Sequence, residues 1–353
     1  MKYLLASAVP YLPQLTGGIE VNTHLLALEL NRRACETAVL CKLSLRDSFG
    51  ARRFLAIGAH FTDVAMDRFL GYRVYRSMKP WRDLSGVIMP KIAIIQNGHM
   101  VQMGHAFRNK SIPSIAYLHG TGFDTEGEAW KGTGKELPFS GYIANSTYTA
   151  RRFEARFGIR PEVIPPIFYP EEYRTAGKGR HVTFINPVAE KGVDLALAIA
   201  ALCPEIPFLF VRGWPLSPIA EMRLSRRLAR LDNVRLCPRS RNMAKIYAET
   251  RILLVPSQWD ETWGRVVSEA QFSGIPVLAS DCGGLPESVG PGGILVGRKD
   301  PPEVWAEQLR SLWNEPAKYQ FMRESAFAHA ARPALDIGYQ LDRFMSIAEG
   351  IAG

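Results

Sequence analysis

Short apolar, β-branched runs recur along the chain, and between most of them the apolar residues return at helical spacing. The clearest strand patterns cover residues 2–9, 37–44, 91–97, 114–119 and 141–145. After a gap they resume at 182–186, 207–212, 234–238, 252–257, 276–281 and 293–296. Stretches such as "EVNTHLLALELNRR" and "VDLALAIAAL" carry the helical period. Alternation of this kind predicts α/β architecture, with parallel sheets covered on both faces. The gap, "GIRPEVIPPIFYPEEYRTAGKGRHV", is rich in proline and charge and reads as a linker between two doubly wound halves. The expected division is 1–168, 169–335 and a lone amphipathic helix over 336–353. Two such halves create a central cleft at the carboxyl ends of their strands, where ligands of this architecture sit.

Composition narrows the class only a little. The 353 residues are 47% hydrophobic and 22% charged, ordinary for a globular protein of two domains. No run of eighteen apolar residues occurs. The opening "MKYLLASAVP" briefly imitates an export signal, but it carries a single lysine, with Pro10 and Pro13 close behind, and is expected to be a buried first strand. The five cysteines are scattered, odd in number and without C-x-x-C spacing. That pattern argues against a disulfide framework or a zinc site and suits a reducing cytoplasm.

Charge adds one further feature. The net charge is +9, and residues 46–110 hold eleven Lys or Arg against four Asp or Glu. Such a surplus suits nucleic acid, an anionic membrane face or an acidic substrate. A merely solvated basic face is the competing reading; as an interaction surface, with no other feature pointing to nucleic acid, the expectation is peripheral contact with an anionic membrane, at the inner surface, or an anionic acceptor.

Candidate chemistry lies in the strand-to-helix turns. Gly17 and Gly18 open the first helix, where backbone N–H groups can approach a phosphate; a turn needing glycine only for its shape is the competing reading. His119 ends a strand before Gly120 and Gly122, placed to hydrogen-bond a ligand or to serve as a satisfied structural histidine. Asp124 and Glu126 resemble a metal-binding pair only loosely, and no metal site is expected. Asn145 and Ser146 end another strand, Ser146 reading first as a helix cap. Lys191 stands before a helix, after a strand ending at Asn186, where it can neutralise a diphosphate; Arg212 offers a second positive charge. In "DETWGRVVSEAQFSGIP", Glu261 and Glu269 flank Gly264 at the mouth of a helix. Capping explains Glu261 alone but leaves Gly264 and Glu269 without a purpose. No dinucleotide or P-loop fingerprint is present: no G-x-G-x-x-G follows a strand, and Glu136 replaces the hydroxyl residue in "GTGKE".

Together these residues resemble a retaining glycosyltransferase of family 4, with the GT-B fold of two Rossmann-like domains. The specific part is "VPSQWDETWGRVVSEAQFSGIPVLASDCGGLPESVGPGGILV". After a Pro-Ser dipeptide it resembles the family's E-x-F-G-x-x-x-x-E-A segment, then a G-x-P-V strand and G-G-x-P-E. Gly17-Gly18, His119 and Asn145-Ser146 match more sparsely but in the right order. The resemblance implies a metal-independent hexosyltransferase without cofactor, moving a sugar from a UDP- or GDP-linked donor to a carbohydrate, glycolipid or small-molecule hydroxyl in glycan, polysaccharide or glycolipid synthesis.

The resemblance also implies roles. Glu261 would contact the sugar hydroxyls, the backbone at Gly264, Arg265 and Val266 the diphosphate, and Glu269 the ribose. Lys191 would neutralise the leaving group, Gly18 would meet phosphate from the other domain, and His119 would touch the sugar. Residues 336–353 would cross back onto the N-terminal domain. Two departures stand out. Asn186-Pro187 replaces the family's Gly-Arg, leaving Arg212 to supply the missing charge, and Trp263 replaces Phe, as a bulkier wall for the sugar pocket. An epimerase or phosphorylase of the same fold, and a non-catalytic two-domain sugar-binding protein, are the alternatives.

Overall fold

The computed structural model describes residues 1–60, 62–124, 130–177 and 179–353, so Glu126 lies outside the described residues. The chain divides into two compact units, one formed by Met1–Phe168 with Asp336–Gly353 and the other by Tyr169–Leu335.

The first unit is built on an eight-stranded sheet. Its strands are β1 (Lys2–Pro10), β2 (Glu36–Lys42), β3 (Val64–Asp67), β4 (Arg73–Ser77), β5 (Ile92–Asn97), β6 (Ser114–Leu118), β7 (Gly141–Ala144) and β8 (Glu162–Val163). They lie in the order β3-β4-β2-β1-β5-β6-β7-β8. The helices are α1 (Gly18–Arg32), α2 (Ser48–His60), α3 (Met100–Arg108) and α4 (Thr147–Phe157). Strands β1, β2, β5 and β6 are nearly continuous apolar runs because both of their faces are buried. Sequence order runs outward in opposite directions from β1 and β5, so the topological switch lies between them.

One feature departs from the all-parallel expectation. β3 pairs antiparallel with β4, because the short turn between them, with Gly71 at φ +88°, allows only a hairpin. Periodicity missed this hairpin because Arg76, a residue normally at the surface, is fully buried in it. Its guanidinium donates to Asp67 at 2.7 Å and to the Leu12 carbonyl at 2.7 Å, and it lies over the Phe49 ring. The buried charge is therefore paired and hydrogen-bonded, the condition for tolerating it.

The second unit has six strands, all parallel: β9 (His181–Ile185), β10 (Phe208–Val211), β11 (Val234–Cys237), β12 (Thr250–Val255), β13 (Val277–Asp281) and β14 (Gly293–Gly297). Their order is β11-β10-β9-β12-β13-β14. The helices are α5 (Val193–Leu202), α6 (Pro218–Leu228), α7 (Met243–Glu249), α8 (Arg265–Gln271), α9 (Leu285–Val289), α10 (Pro302–Asn314) and α11 (Pro316–Ala330). Phe184, Phe208, Phe210, Leu254 and Trp305 are fully or almost fully buried in its core. Here the order reverses between β9 and β12, which makes their carboxyl ends the natural ligand position of this unit.

The last helix, α12 (Ile337–Ala352), belongs to the first unit. Asp336 caps it by accepting from the Tyr339 N–H. Phe344 packs beside Tyr3, with ring centroids 6.0 Å apart, and Gln340 donates to the Pro165 carbonyl at 3.0 Å. Arg343 donates to the Val163 carbonyl and to Glu162. Among the described residues no helix is long and apolar enough to cross a membrane.

Candidate active site

The switch point of the second unit gathers the charged residues. Lys191 follows β9 in a short 3-10 turn that ends at Gly192, whose φ is +83°. Only glycine fits there: a Cβ would lie 1.9 Å from the Pro256 carbonyl oxygen. Glu261 follows β12. Its carboxylate pairs with the Lys191 ammonium and accepts from Ser257 Oγ at 2.8 Å. Seventy positions apart in sequence, the two charges meet because their strands are neighbours in the sheet.

The loop holding Glu261 is clamped by the next strand's end, a role the sequence reading did not give to Gly283 and Gly284. The Gly284 N–H donates to the Glu261 carbonyl at 2.6 Å. A Cβ on Gly283 would lie 2.2 Å from that same oxygen, and one on Gly284 would lie 2.3 Å from the Thr262 carbonyl. The G-G-x-P-E segment thus brings two backbones into contact. Its legible signal was the glycine pair after a strand.

Gly264 caps α8 in the left-handed region, φ +79°, and a Cβ there would meet Leu285 at 2.6 Å. Arg265 and Val266 open the helix, which is two turns long. Glu269, on its buried face, accepts from the Tyr247 hydroxyl at 2.9 Å and lies 3.7 Å from the Arg265 guanidinium. Burial raises the Glu269 carboxyl above the ordinary glutamate range, outweighing Arg265 and the Tyr247 hydrogen bond.

Two of the expected donor residues are engaged within the protein. Trp263 is only 2% exposed, and its indole N–H donates to Ser268 Oγ at 3.0 Å. That bond anchors the loop onto α8, a structural contact beside the sugar-wall role expected of it. Arg212 is the second. It pairs with Glu221 and lines a cavity of about 200 Å³ with Pro187, Trp214 and Arg239. It is thus engaged along its own β10–α6 connection and does not join the Lys191–Glu261 pair. Trp214 and Trp259 stand over that pair instead, their ring centroids 5.4 and 4.7 Å from Lys191 Nζ. Asn186 adopts φ +66° and accepts from the Trp214 N–H at 2.8 Å, so it shapes the turn that carries this tryptophan.

In the first unit, Gly17 precedes α1 and Gly18 begins it. The phosphate expected there meets a carboxylate: Glu20 folds back and accepts from the Gly17 and Glu20 N–H groups. Glu20 Oε2 lies 2.7 Å from where a Gly17 Cβ would stand. Burial raises the Glu20 carboxyl's pKa, with those N–H groups opposing. A phosphate at Gly17-Gly18 would have to displace this side chain, so the helix end is not the open anion site the glycines suggested. His119 is buried, tilted against Tyr117 with ring centroids 4.1 Å apart, and hydrogen-bonded through Nε2 to Gln96 at 3.0 Å. Asn145 donates to the His119 carbonyl at 3.3 Å and accepts from Thr149, while Ser146 caps α4 as expected.

All five cysteines are unpaired, and among the described residues no cluster of three metal-ligating side chains occurs.

Two family models match the chain. Residues 16–171 match Glycosyltransferase Family 4, and residues 179–315 match Glycosyl transferases group 1. The D-inositol 3-phosphate glycosyltransferase of Segniliparus rotundus is 36% identical over 174 residues, 46% of this chain and 37% of that protein. D-inositol 3-phosphate glycosyltransferase 1 of Catenulispora acidiphila is 40% identical over 223 residues, 54% of this chain and 52% of its own length. The chain thus spans about a third to a half of these two relatives. Among solved structures, HepE of Anabaena in complex with UDP and glucose superposes with a TM-score of 0.75 at 17% identity, covering 98% of this chain and 99% of that one. Sucrose-phosphate synthase of Thermosynechococcus elongatus gives 0.74 at 16%, covering 99% and 98%. At such identities the superpositions carry the fold, which is GT-B. Residues 16–171 are thus similar to Glycosyltransferase Family 4 and residues 179–315 to Glycosyl transferases group 1, so each half of the chain matches a glycosyltransferase domain.

Proposed function

We propose that this protein transfers a hexosyl group from a UDP- or GDP-linked sugar to an acceptor hydroxyl, with retention of anomeric configuration. The observation that carries the reading is the Lys191–Glu261 pair at the switch point of the second unit. An ammonium and a carboxylate held together there suit a ligand with an anionic diphosphate beside neutral hydroxyls. Lys191 takes the diphosphate, Glu261 the sugar hydroxyls, and the backbone at Gly264, Arg265 and Val266 the phosphate at the start of α8. Glu269 takes the ribose hydroxyls, exchanging its Tyr247 contact for them. The donor thereby falls to residues 169–335 and the acceptor to 1–168, with His119 of that half offered to a sugar hydroxyl.

In the transition state the bond from the anomeric carbon to the diphosphate oxygen lengthens. The sugar becomes oxocarbenium-like and negative charge grows on the leaving oxygens. Lys191 stabilises that growing charge, a contribution of about 3 kcal/mol for a well-placed donor. The leaving diphosphate accepts the acceptor's proton as the new bond forms on the same face. Neither metal nor cofactor has a part in this scheme.

Incubation with nucleotide sugars and candidate acceptors, followed by NMR of the product, tests the reading. A new glycosidic bond with the donor's anomeric configuration is expected; an inverted product would contradict it. Without acceptor, conversion of the donor to an epimer, or with added inorganic phosphate to a sugar phosphate and free nucleoside diphosphate, would assign the site to an epimerase or phosphorylase instead.

The basic segment of the first unit extends the reading to location, at the cytoplasmic face of a membrane. Phe54, Leu55, Met66 and Phe69 are exposed on α2, β3 and the following turn, near Arg52 and Arg68. Apolar and basic side chains side by side suit an anionic bilayer. Sedimentation with phosphatidylglycerol vesicles but not with phosphatidylcholine vesicles is expected; equal binding to both would refute the electrostatic contribution.

A further inference from the structure

Lys191 sits in a setting that the family pattern does not explain. One side of its ammonium meets Glu261. Two indoles cover it elsewhere, Trp259 at 4.7 Å and Trp214 at 5.4 Å from ring centroid to Nζ. Both distances lie within the range over which a cation is drawn to an aromatic face. The rings stand edge to face, 5.7 Å apart, forming two walls of one corner. The lysine side chain keeps 20% of its surface open, so one approach remains for a ligand.

The two tryptophans come from different strand ends. Trp259 follows β12, two positions before Glu261, and Trp214 follows β10. Their own burial does not account for them, since they are 40% and 43% exposed. Trp214 is held by its backbone: its N–H donates to Asn186 Oδ1 at 2.8 Å, and Asn186 accepts the strain of φ +66°. A Cβ on Gly213 would lie 2.7 Å from that Asn186 side chain, so glycine is required for the close approach. Asn186 and Pro187 stand where the family carries Gly-Arg. The departure that removes an arginine therefore also supplies the side chain that fixes Trp214.

We propose that Trp214 and Trp259 are positioning residues for Lys191, and that Asn186 secures this corner in place of a second cation. Resting on the donor-site reading above, this adds how a single lysine holds its place against a diphosphate. The aromatic faces keep the ammonium from swinging into water. They also attract it without neutralising it, whereas a second carboxylate would cancel the charge the phosphate needs. When a nucleoside diphosphate arrives, Lys191 turns from Glu261 toward the phosphate through its open side, still over the indoles. Glu261 is then released to the sugar hydroxyls.

The test compares Trp214→Phe, Trp214→Leu, Trp259→Phe and Trp259→Leu in the full chain. UDP and GDP, and the corresponding nucleosides uridine and guanosine, are titrated into each by calorimetry. Both positions are partly exposed, and unchanged circular dichroism and melting temperature identify the variants that fold as the parent does. The leucine variants are expected to lose about tenfold in affinity for the diphosphate that the parent binds, the phenylalanine variants much less, and nucleoside binding is expected to hold. Transfer by the leucine variants should fall in kcat with KM for the acceptor unchanged. Equal behaviour of leucine and phenylalanine would overturn the aromatic role. Loss of nucleoside affinity in parallel with diphosphate affinity would assign the rings to the base instead. No diphosphate binding by the unmodified protein would overturn the donor-site reading itself, and this proposal with it.

Discussion

Lys191 and Glu261 form the smallest unit of the account, and their chemistry sets what substitution does. Lys191→Ala is expected to lower kcat about 100- to 1000-fold, because the negative charge it already meets on the bound diphosphate grows further in the transition state. The same change combined with Glu261→Gln should fall well short of the summed single effects, since the two side chains share one interaction. Steady-state rates of the four proteins check this. Trp263 makes the opposite case. Trp263→Phe removes the hydrogen bond to Ser268 and some buried area, so its melting temperature should drop while its choice among nucleotide sugars stays the same. A changed donor preference would instead place its ring at the sugar. Glu269 adds a pH signature. Its carboxyl is raised by burial, so between the ordinary glutamate value and the folded value the native state holds more protons than the unfolded one. The stability it confers is complete below the ordinary range and is lost as pH rises through the folded pKa. Glu269→Gln should therefore flatten that decline in urea unfolding measured from pH 4 to pH 8, and it should weaken nucleotide binding.

Helix starts and strand ends carry the site, and glycine decides how closely they approach. Gly283 and Gly158 share a left-handed backbone, φ +60° and +68°, but differ in surroundings. Nothing lies within 4 Å of a Gly158 Cβ, so Gly158→Ala should cost only the backbone strain, about 1–2 kcal/mol. Gly283→Ala drives a methyl into the Glu261 backbone, so it should cost more and weaken nucleotide binding as well. Denaturant unfolding and calorimetry on the pair separate the two effects. The same elements show what was legible beforehand. Strands buried on both faces, such as β5, β6 and β12, stand out as apolar runs. The β3–β4 hairpin did not, because Arg76 pairs with Asp67 inside it and breaks the polar-outside rule; β8 is two residues long, too short to carry a period. Gly264, Lys191 and Glu261 could be picked out from their places in strand-to-helix turns. Which neighbours occupy those turns could not. Glu20 folding over the start of α1, Glu221 engaging Arg212 and two indoles covering Lys191 are tertiary outcomes that no local pattern encodes.

For the whole molecule, the account places the donor on the second unit and leaves the first to the acceptor and, through its basic and apolar surface, to a membrane. Hydrogen exchange should therefore slow on UDP or GDP binding around residues 186–192 and 257–269. The β-sheet core of the first unit should exchange as before. Added salt should weaken binding to anionic vesicles, whereas the hydrophobic cores of the two units should be indifferent to it. The central claim is that Lys191 and Glu261 hold a nucleoside-diphosphate sugar, and calorimetric titration of UDP- and GDP-sugars into the unmodified protein and into Lys191→Ala tests it most directly. The account predicts saturable one-site binding of at least one donor, weakened at least tenfold in the variant. No saturable binding of any donor, or equal affinity in both proteins, would contradict it.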